Sequence, residues 1–287
     1  MLLSTPVRDP LEPPRPASTN ALPTPEPRHS LPAEIVAEKD ALDRLLAALD
    51  RSPFSPVALD TEADSFHHYF EKVCLLQIGL EGRAFLVDPL FPAAGPVELT
   101  RLIERLAARP LLMHGADYDL RLLHRGWSFR ANAVFDTMLA AQLLGEKEIG
   151  LASLLSKRLG VTLDKTHQRA DWSHRPLAPE LIAYAAADVH HLPALVELLA
   201  RDLVAKGRLA WHQEECARLV ATQFLARESD PENDWRLKGT NALTDRERAF
   251  VRALFWARDQ RARETDRPPF RVVTNERLLE AARLAAE

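Results

Sequence analysis

The sequence is short of cysteine, of long apolar runs and of excess positive charge, and each shortage excludes a class of protein. Its two cysteines, Cys74 and Cys216, lie far apart without CxxC spacing, which argues against a disulfide framework or a cysteine-based zinc site. No apolar run approaches the ~18 residues that span a bilayer, so an integral membrane protein is excluded and a reducing cytoplasm is expected. The formal net charge of -4 does not indicate a nucleic-acid partner, because such domains are often basic.

Charge and proline are distributed unevenly along the 287 residues. Nine of the 21 prolines lie between Pro6 and Pro32, in a stretch without aromatic residues. We expect residues 1–32 to form a disordered tail, because they bury too little apolar surface to offset their ordering entropy. From Arg236 to the end, 12 Lys and Arg against 8 Asp and Glu give +4, so the remainder carries -8. We therefore expect a main domain over residues 33–215, followed over residues 216–287 by a linker helix and a small basic helical domain.

Hydrophobic periodicity predicts an α/β fold. Helical spacing predicts a helix over Ile35–Leu49, and short apolar runs separated by turns predict an antiparallel meander. Its strands lie over Val57–Glu62, Val73–Leu80 and Ala84–Val87. Helices and strands then alternate: a helix over Val97–Ala108, a strand over Leu111–His114, a strand at Val134 and Phe135, and helices from Asp117, Thr137, Leu151 and Pro179. This order indicates a mixed sheet that is covered by helices on both faces.

Two pairs of acidic residues lie where such a sheet binds ligands. Asp60 and Glu62 are separated by one residue at the end of an apolar strand, so both side chains point to the same face. Asp117 and Asp119 open a helix directly after a strand, and these junctions are ligand-binding positions in α/β sheets. Taken alone, each has a structural alternative, since Asp is also a common turn former and N-cap. Asp117 in particular is interpreted as an N-cap.

A third carboxylate is paired with a phenol. Tyr184 and Asp188 are four residues apart in a predicted helix, a spacing that stacks both side chains on one helix face. Carboxylates that cluster repel one another and require cations to coexist. The hard divalent ions Mg²⁺ and Mn²⁺ match a ligand set made only of oxygen.

These motifs resemble those of a known family. Leu59-Asp60-Thr61-Glu62, the segment His114–Leu120 and Tyr184-Ala-Ala-Ala-Asp188 are similar to the three exonuclease motifs of ribonuclease D. That family belongs to the DEDD 3′–5′ exonucleases and has a ribonuclease H-like fold. The segments Val161–Lys165, Arg169–Leu177 and Val134–Thr137 also resemble family segments.

The resemblance implies a site and a mechanism. Its four metal ligands are Asp60, Glu62, Asp119 and Asp188, with Asp119 preferred to Asp117 because an aromatic residue precedes the ligand in the family motif. Tyr184 matches the tyrosine subclass, whereas the histidine subclass has His at the place of Ala183. Two cations, Mg²⁺ or Mn²⁺, then flank the scissile phosphate, and Tyr184 orients the attacking water. Asp136 is interpreted as the N-cap of the helix from Thr137.

The C-terminal region adds a second resemblance. Trp235–Gly239, the arginines that follow it and Phe270–Glu276 are similar to the entry of an HRDC domain, a helical module associated with nucleic-acid binding. The family implies a 3′–5′ exoribonuclease that acts on structured RNA such as tRNA precursors and releases nucleoside 5′-monophosphates. Two alternatives remain open at this point, a 3′–5′ DNA exonuclease and a catalytically inactive RNA-binding scaffold. The sequence contains all four acids and the tyrosine, which argues against the scaffold.

Overall fold

A six-stranded mixed sheet forms the centre of the chain. The computed structural model describes residues 33–90, 96–164, 166–222 and 230–287, and the predicted proline-rich tail lies outside them. The strands are β1 (Ala33–Val36), β2 (Val57–Ala63), β3 (Val73–Leu80), β4 (Arg83–Val87), β5 (Pro110–Met113) and β6 (Ala133–Asp136). Their order across the sheet is β1-β4-β3-β2-β5-β6.

The strand pairing confirms the predicted mixed sheet. β2, β3 and β4 form an antiparallel meander, with a turn at Glu81 and Gly82. β5 pairs parallel with β2, β6 pairs parallel with β5, and β1 pairs parallel with β4 at the opposite edge. β3 lies in the middle of the meander, and all eight of its residues are buried.

Helices cover both faces of the sheet. They are α1 (Lys39–Arg51), α2 (Pro96–Ala107), α3 (Asp117–Trp127), α4 (Thr137–Leu144), α5 (Leu151–Leu159), α6 (Pro179–His190), α7 (Leu192–Ala205), α8 (Leu209–Thr222), α9 (Asp245–Glu264), α10 (Pro269–Val272) and α11 (Asn275–Ala286). On one face, Leu45, Leu102 and Leu123 of α1, α2 and α3 belong to the same core as Leu59 and Ile78 of the sheet.

Helix α6 covers the other face at close range. Ala186 and Val189 share a core with Ala58 of β2. A Cβ atom built on Gly79 would lie 2.9 Å from the Ala58 Cβ and 3.0 Å from the Val189 carbonyl oxygen, which is closer than these atoms can approach. Glycine is therefore required at position 79, because the α6 backbone approaches β3 at this point. This close packing brings the acidic residue of α6 towards β2.

One predicted element is wrong. The helix expected over Ile35–Leu49 begins only at Lys39, and Ile35 lies in β1, where it pairs with Leu86 of β4. Ile35 and Val36 happen to fit the helical spacing of the leucines that follow. The strand forms because a partner about fifty residues further along the chain supplies its backbone hydrogen bonds. The spacing of apolar residues near Ile35 cannot indicate that partner.

The C-terminal helices form their own small core and contact the loop that follows β2 in the main sheet domain. Trp235, Val251 and Leu278 pack together. The Asp266 carboxylate accepts hydrogen bonds from the backbone N–H groups of Tyr69 and Phe70, and it lies 2.8 Å from His68 Nδ1. A helical C-terminal region is therefore confirmed. No helix in the described part of the chain is long and apolar enough to cross a membrane.

Candidate active site

The first two acids of the site come from β2. Val57, Leu59 and Thr61 alternate with Ala58, Asp60 and Glu62, so the two acids share the face that α6 covers. The register agrees, because Asp60 is paired with Gln77 and Glu62 with Leu75 on β3. The ladder shifts its register between Glu62 and Ala63, the last residue of β2. β2 therefore presents both carboxylates at its carboxyl end.

Helix α6 contributes the third acid. Asp188 is 6% exposed and lies one turn from Tyr184 on the same helix. One carboxylate oxygen each from Asp60, Glu62 and Asp188 can be chosen so that all three lie within 4.8 Å of one another. Residues 126 positions apart in the sequence are thus brought into one group of oxygen ligands.

Asp119 approaches this group from the start of α3. Its side chain is 8% exposed and accepts a hydrogen bond from the Thr61 hydroxyl, which anchors it beside β2. Asp117 lies on the solvent side of the same helical turn and forms an ion pair with Arg121 at 2.9 Å. The interpretation of Asp117 as an N-cap is wrong, because Ala116 occupies that position and makes no side-chain cap. Asp119 is the residue of this pair that faces the site.

Asp136 explains why α3 begins without a cap of its own. The predicted N-cap role is confirmed, since its carboxylate accepts from the N–H groups of Met138 and Leu139 in α4. The same carboxylate accepts from the N–H groups of Gly115 and Ala116 at 3.0 and 2.8 Å. Asp136 therefore holds the turn before α3 against the start of α4, which fixes the position of Asp119.

Burial raises the pKa of every acid in the group, and repulsion between the site acids adds to the rise for Asp60 and Glu62. Burial and the charges of Asp119, Asp188 and Glu62 raise the pKa of Asp60 well above its usual range. Burial and the same kind of repulsion raise the pKa of Glu62 to about 9, and the Gln77 amide partly opposes this rise. Burial raises the pKa values of Asp119 and Asp188 to about 7 each. Without a cation, this site therefore retains protons at neutral pH.

Tyr184 lies between two other rings at the edge of the acidic group. Its ring centroid is 6.0 Å from that of Trp172, which is fully buried, and 6.1 Å from that of His167. Burial and the charge of Asp188 raise the pKa of Tyr184 well above its usual range. The phenol therefore keeps its proton at neutral pH and can donate a hydrogen bond.

The acids line a cleft of about 390 Å³. Asp60, Glu62, Asp119, Tyr184 and Asp188 all reach it, and the described residues in its wall include no Lys or Arg. Two buried and two half-buried carboxylates without a Lys or Arg beside them in the described wall are a ligand set that fits divalent cations. Asp164 and Gln168 also reach the cleft. Asp164 lies in the segment Val161–Lys165 that resembles the family and Gln168 lies just after it, and neither was predicted as a site residue.

The loop after β2 connects the cleft with the C-terminal helices. Glu71 accepts a hydrogen bond from the Tyr118 hydroxyl at 2.8 Å, and Tyr118 contributes to the cleft wall. Two residues before Glu71, the Tyr69 hydroxyl donates to Asp259 of α9 at 3.0 Å. The Phe66 and Phe270 rings pack edge to face, with their centroids 6.5 Å apart. One side of this loop thus faces the cleft, and the other is held by α9 and α10.

Comparison with known proteins identifies relatives over most of the chain. A family model described as 3′–5′ exonuclease matches residues 33–204. The ribonuclease D of Zymomonas mobilis is 32% identical over 251 residues, which are 86% of this chain and 63% of the relative. The ribonuclease D of Xanthomonas oryzae is 33% identical over 260 residues, covering 88% of this chain and 68% of that protein. The chain thus spans about two thirds of the length of these relatives.

A solved structure agrees with the sequence comparison. The crystal structure of Escherichia coli RNase D, described as an exoribonuclease involved in structured RNA processing, matches with a TM-score of 0.66 at 30% identity. The match covers 88% of this chain and 66% of that one. With the sheet order, the helices on both faces and the acids at the end of β2 in place, these likenesses show that the chain belongs to the ribonuclease D family of 3′–5′ exonucleases.

Proposed function

We propose that this protein is a metal-dependent 3′–5′ exoribonuclease that hydrolyses RNA 3′ ends to nucleoside 5′-monophosphates. One observation carries the proposal: carboxylate oxygens of Asp60, Glu62 and Asp188 lie within 4.8 Å of one another in a cleft whose described wall has no Lys or Arg. Such a group suits the negatively charged phosphodiester only when cations are present. Asp60, Glu62, Asp119 and Asp188 would hold two divalent cations, Mg²⁺ or Mn²⁺.

Bound divalent cations would supply an activated water and stabilise the charge that develops on the departing 3′ oxygen. The chain itself supplies orientation. Thr61 holds Asp119, and the close packing of α6 on Gly79 places Asp188 opposite β2. The protein fixes these side chains before substrate arrives, so little ordering remains to be done when the phosphate binds.

Tyr184 would orient the attacking water. The phenol carries its proton at neutral pH, because burial and the nearby acids disfavour the phenolate. A protonated phenol is a hydrogen-bond donor and a poor general base. The packing of its ring beside Trp172 and His167 restricts where the hydroxyl points. We therefore assign Tyr184 a positioning role in the reaction.

The relatives support RNA as the substrate. Proteins named ribonuclease D are more than 30% identical to this chain, and the E. coli structure is described as acting in structured RNA processing. By extension, we propose that this protein trims the 3′ ends of structured RNA, tRNA precursors among them, in the cytoplasm. Recognition of the ribose 2′-OH would distinguish this function from that of a DNA exonuclease.

The proposal is tested with matched RNA and DNA oligonucleotides that carry a 5′ label. With Mg²⁺ or Mn²⁺, we expect the RNA to shorten one nucleotide at a time and nucleoside 5′-monophosphates to accumulate, with slower release from DNA. EDTA and the Asp60→Asn variant are both expected to stop release. Release that continues in EDTA would contradict the metal mechanism, and faster release from DNA would favour the DNA exonuclease.

We also propose that the C-terminal domain, residues 216–287, binds RNA in addition to the cleft. Trp235, Arg248, Arg252 and Trp256 line a shallow hollow of about 500 Å³. The Trp235 ring is buried and the Trp256 ring is half-buried, and Arg beside a partly accessible aromatic ring is a common combination for binding single-stranded nucleic acid. Removing these helices is a poor test because Asp266 supports the loop after β2. A better one is Arg252→Gln, which we expect to weaken RNA binding and reduce its salt dependence. Arg201→Gln, on the surface of α7, serves as the control, and an unchanged salt slope in Arg252→Gln would eliminate this role.

A further inference from the structure

Strand β3 contains a buried amide that the fold does not explain. Its sequence is Val-Cys-Leu-Leu-Gln-Ile-Gly-Leu, and Gln77 is 0% exposed in the centre of the sheet. Neither its Nε2 nor its Oε1 has a hydrogen-bond partner among the described residues. A buried polar group without a partner destabilises a fold, and native structures contain few of them. A side chain that weakens the fold in this way calls for a functional explanation.

The position of Gln77 supplies one. In the antiparallel register Gln77 stands directly opposite Asp60, and cross-strand partners share a face of the sheet. Glu62 is two residues further along β2, so it is the diagonal neighbour of Gln77, within reach of a long side chain. The amide is thus buried beside the acids. It is near enough to Glu62 to lower the pKa of that carboxylate, although it makes no hydrogen bond of ordinary geometry to it.

We propose that Gln77 is a positioning residue for the metal site, whose Nε2–H group donates to the Glu62 carboxylate when cations occupy the acidic group. The inference rests on the proposed function, because Glu62 must be ionised to act as a ligand. Hydrogen bonds to ligand carboxylates fix their orientation and raise metal affinity. Gln77 then lowers the stability of the metal-free protein, and it orients Glu62 correctly when the cations are bound.

The test measures metal binding and stability separately. Gln77→Met keeps the length of the side chain and removes both polar atoms. In EDTA, its melting temperature is expected to equal or exceed that of the wild type, by about 2–4 °C if one unfavourable buried amide is removed. The affinity for Mn²⁺, titrated calorimetrically without RNA, is expected to fall at least ~10-fold. At saturating Mn²⁺ most of kcat should return, while the Mn²⁺ concentration for half-maximal activity rises.

Leu75→Met is the matched control. Leu75 lies on the same strand and face, opposite Glu62, and is also 0% exposed. The substitution repacks β3 without removing a polar atom, so Mn²⁺ affinity is expected to stay within twofold of the wild type. Gln77→Leu provides a second apolar variant, with the same expected loss of affinity, should Gln77→Met fold poorly.

The outcomes separate this inference from the function on which it rests. An unchanged Mn²⁺ affinity in both Gln77 variants overturns the role of Gln77 and leaves the metal site standing. An equal loss in Leu75→Met also overturns it, because the cause would be repacking of β3. If the wild type itself bound no Mn²⁺, the proposed metal site would fail, and the inference would fail with it.

Discussion

Asp188→Asn is expected to make the metal-free protein more stable at neutral pH. Asp188 is 6% exposed, and its burial raises its pKa to about 7. Between its unfolded pKa of about 4 and this value, the folded protein holds a proton that the unfolded chain has released. The free energy of unfolding therefore falls as the pH rises through this window. Asn has nearly the same shape and cannot ionise, so residue 188 of the variant does not lower the free energy of unfolding as the pH rises.

The size of the effect follows from the displacement of the pKa. A rise from the ordinary 3.8 to about 7 corresponds to roughly 4 kcal/mol against folding once the pH exceeds 7. At pH 5, little more than one pH unit above the ordinary pKa, less than ~2 kcal/mol of this cost is present. We therefore expect Asp188→Asn to exceed the wild type in free energy of unfolding by up to ~4 kcal/mol at pH 8, and by less than half of that at pH 5.

Urea denaturation in EDTA, followed by circular dichroism at pH 5 and pH 8, measures this difference. Asp117→Asn is the control, since the Asp117 side chain is 58% exposed and its ion pair with Arg121 lies at the surface, where such pairs contribute little. Added Mn²⁺ should stabilise the wild type far more than Asp188→Asn, because it binds the folded acids. A variant less stable than the wild type at pH 8, or a gap of the same size at both pH values, would refute the reasoning.

Three further substitutions test individual roles. Asp119→Asn should abolish nucleotide release while Asp117→Asn keeps it, and the reverse result in a gel assay would exchange their roles. Tyr184→Phe should lower kcat by about 100-fold with Mn²⁺ affinity within twofold, as steady-state kinetics and calorimetry would show; an unchanged kcat contradicts the positioning role. Asp136→Ala should lower the free energy of unfolding by at least ~3 kcal/mol, because four backbone N–H groups lose their acceptor. Urea denaturation measures this change, and a loss below ~1 kcal/mol would contradict the capping role.

The parts of the site that obey a local period could be predicted from the sequence. Alternation along β2 placed Asp60 and Glu62 on one face, and the helical spacing placed Tyr184 one turn before Asp188. The structure has both arrangements. The N-cap role of Asp136 was also predictable, because Asp before a helix is a frequent cap.

Other features depend on partners distant in the sequence. Ile35 lies in a strand because β4 pairs with it, and Asp117 is no cap because Asp136 already serves the turn before α3. Gln77 became notable only when the register placed it opposite Asp60. The contact of Asp266 with the loop after β2 joins residues almost 200 positions apart, and no local pattern in either segment predicts it.

The central claim is that Asp60, Glu62, Asp119 and Asp188 together hold the catalytic cations, and anomalous diffraction from a Mn²⁺-soaked crystal tests it most directly. We predict two anomalous peaks at coordinating distance from these carboxylates, about 4 Å apart, and their loss in Asp60→Asn. Crystals that take up Mn²⁺ elsewhere and show no peak beside these carboxylates would contradict the account.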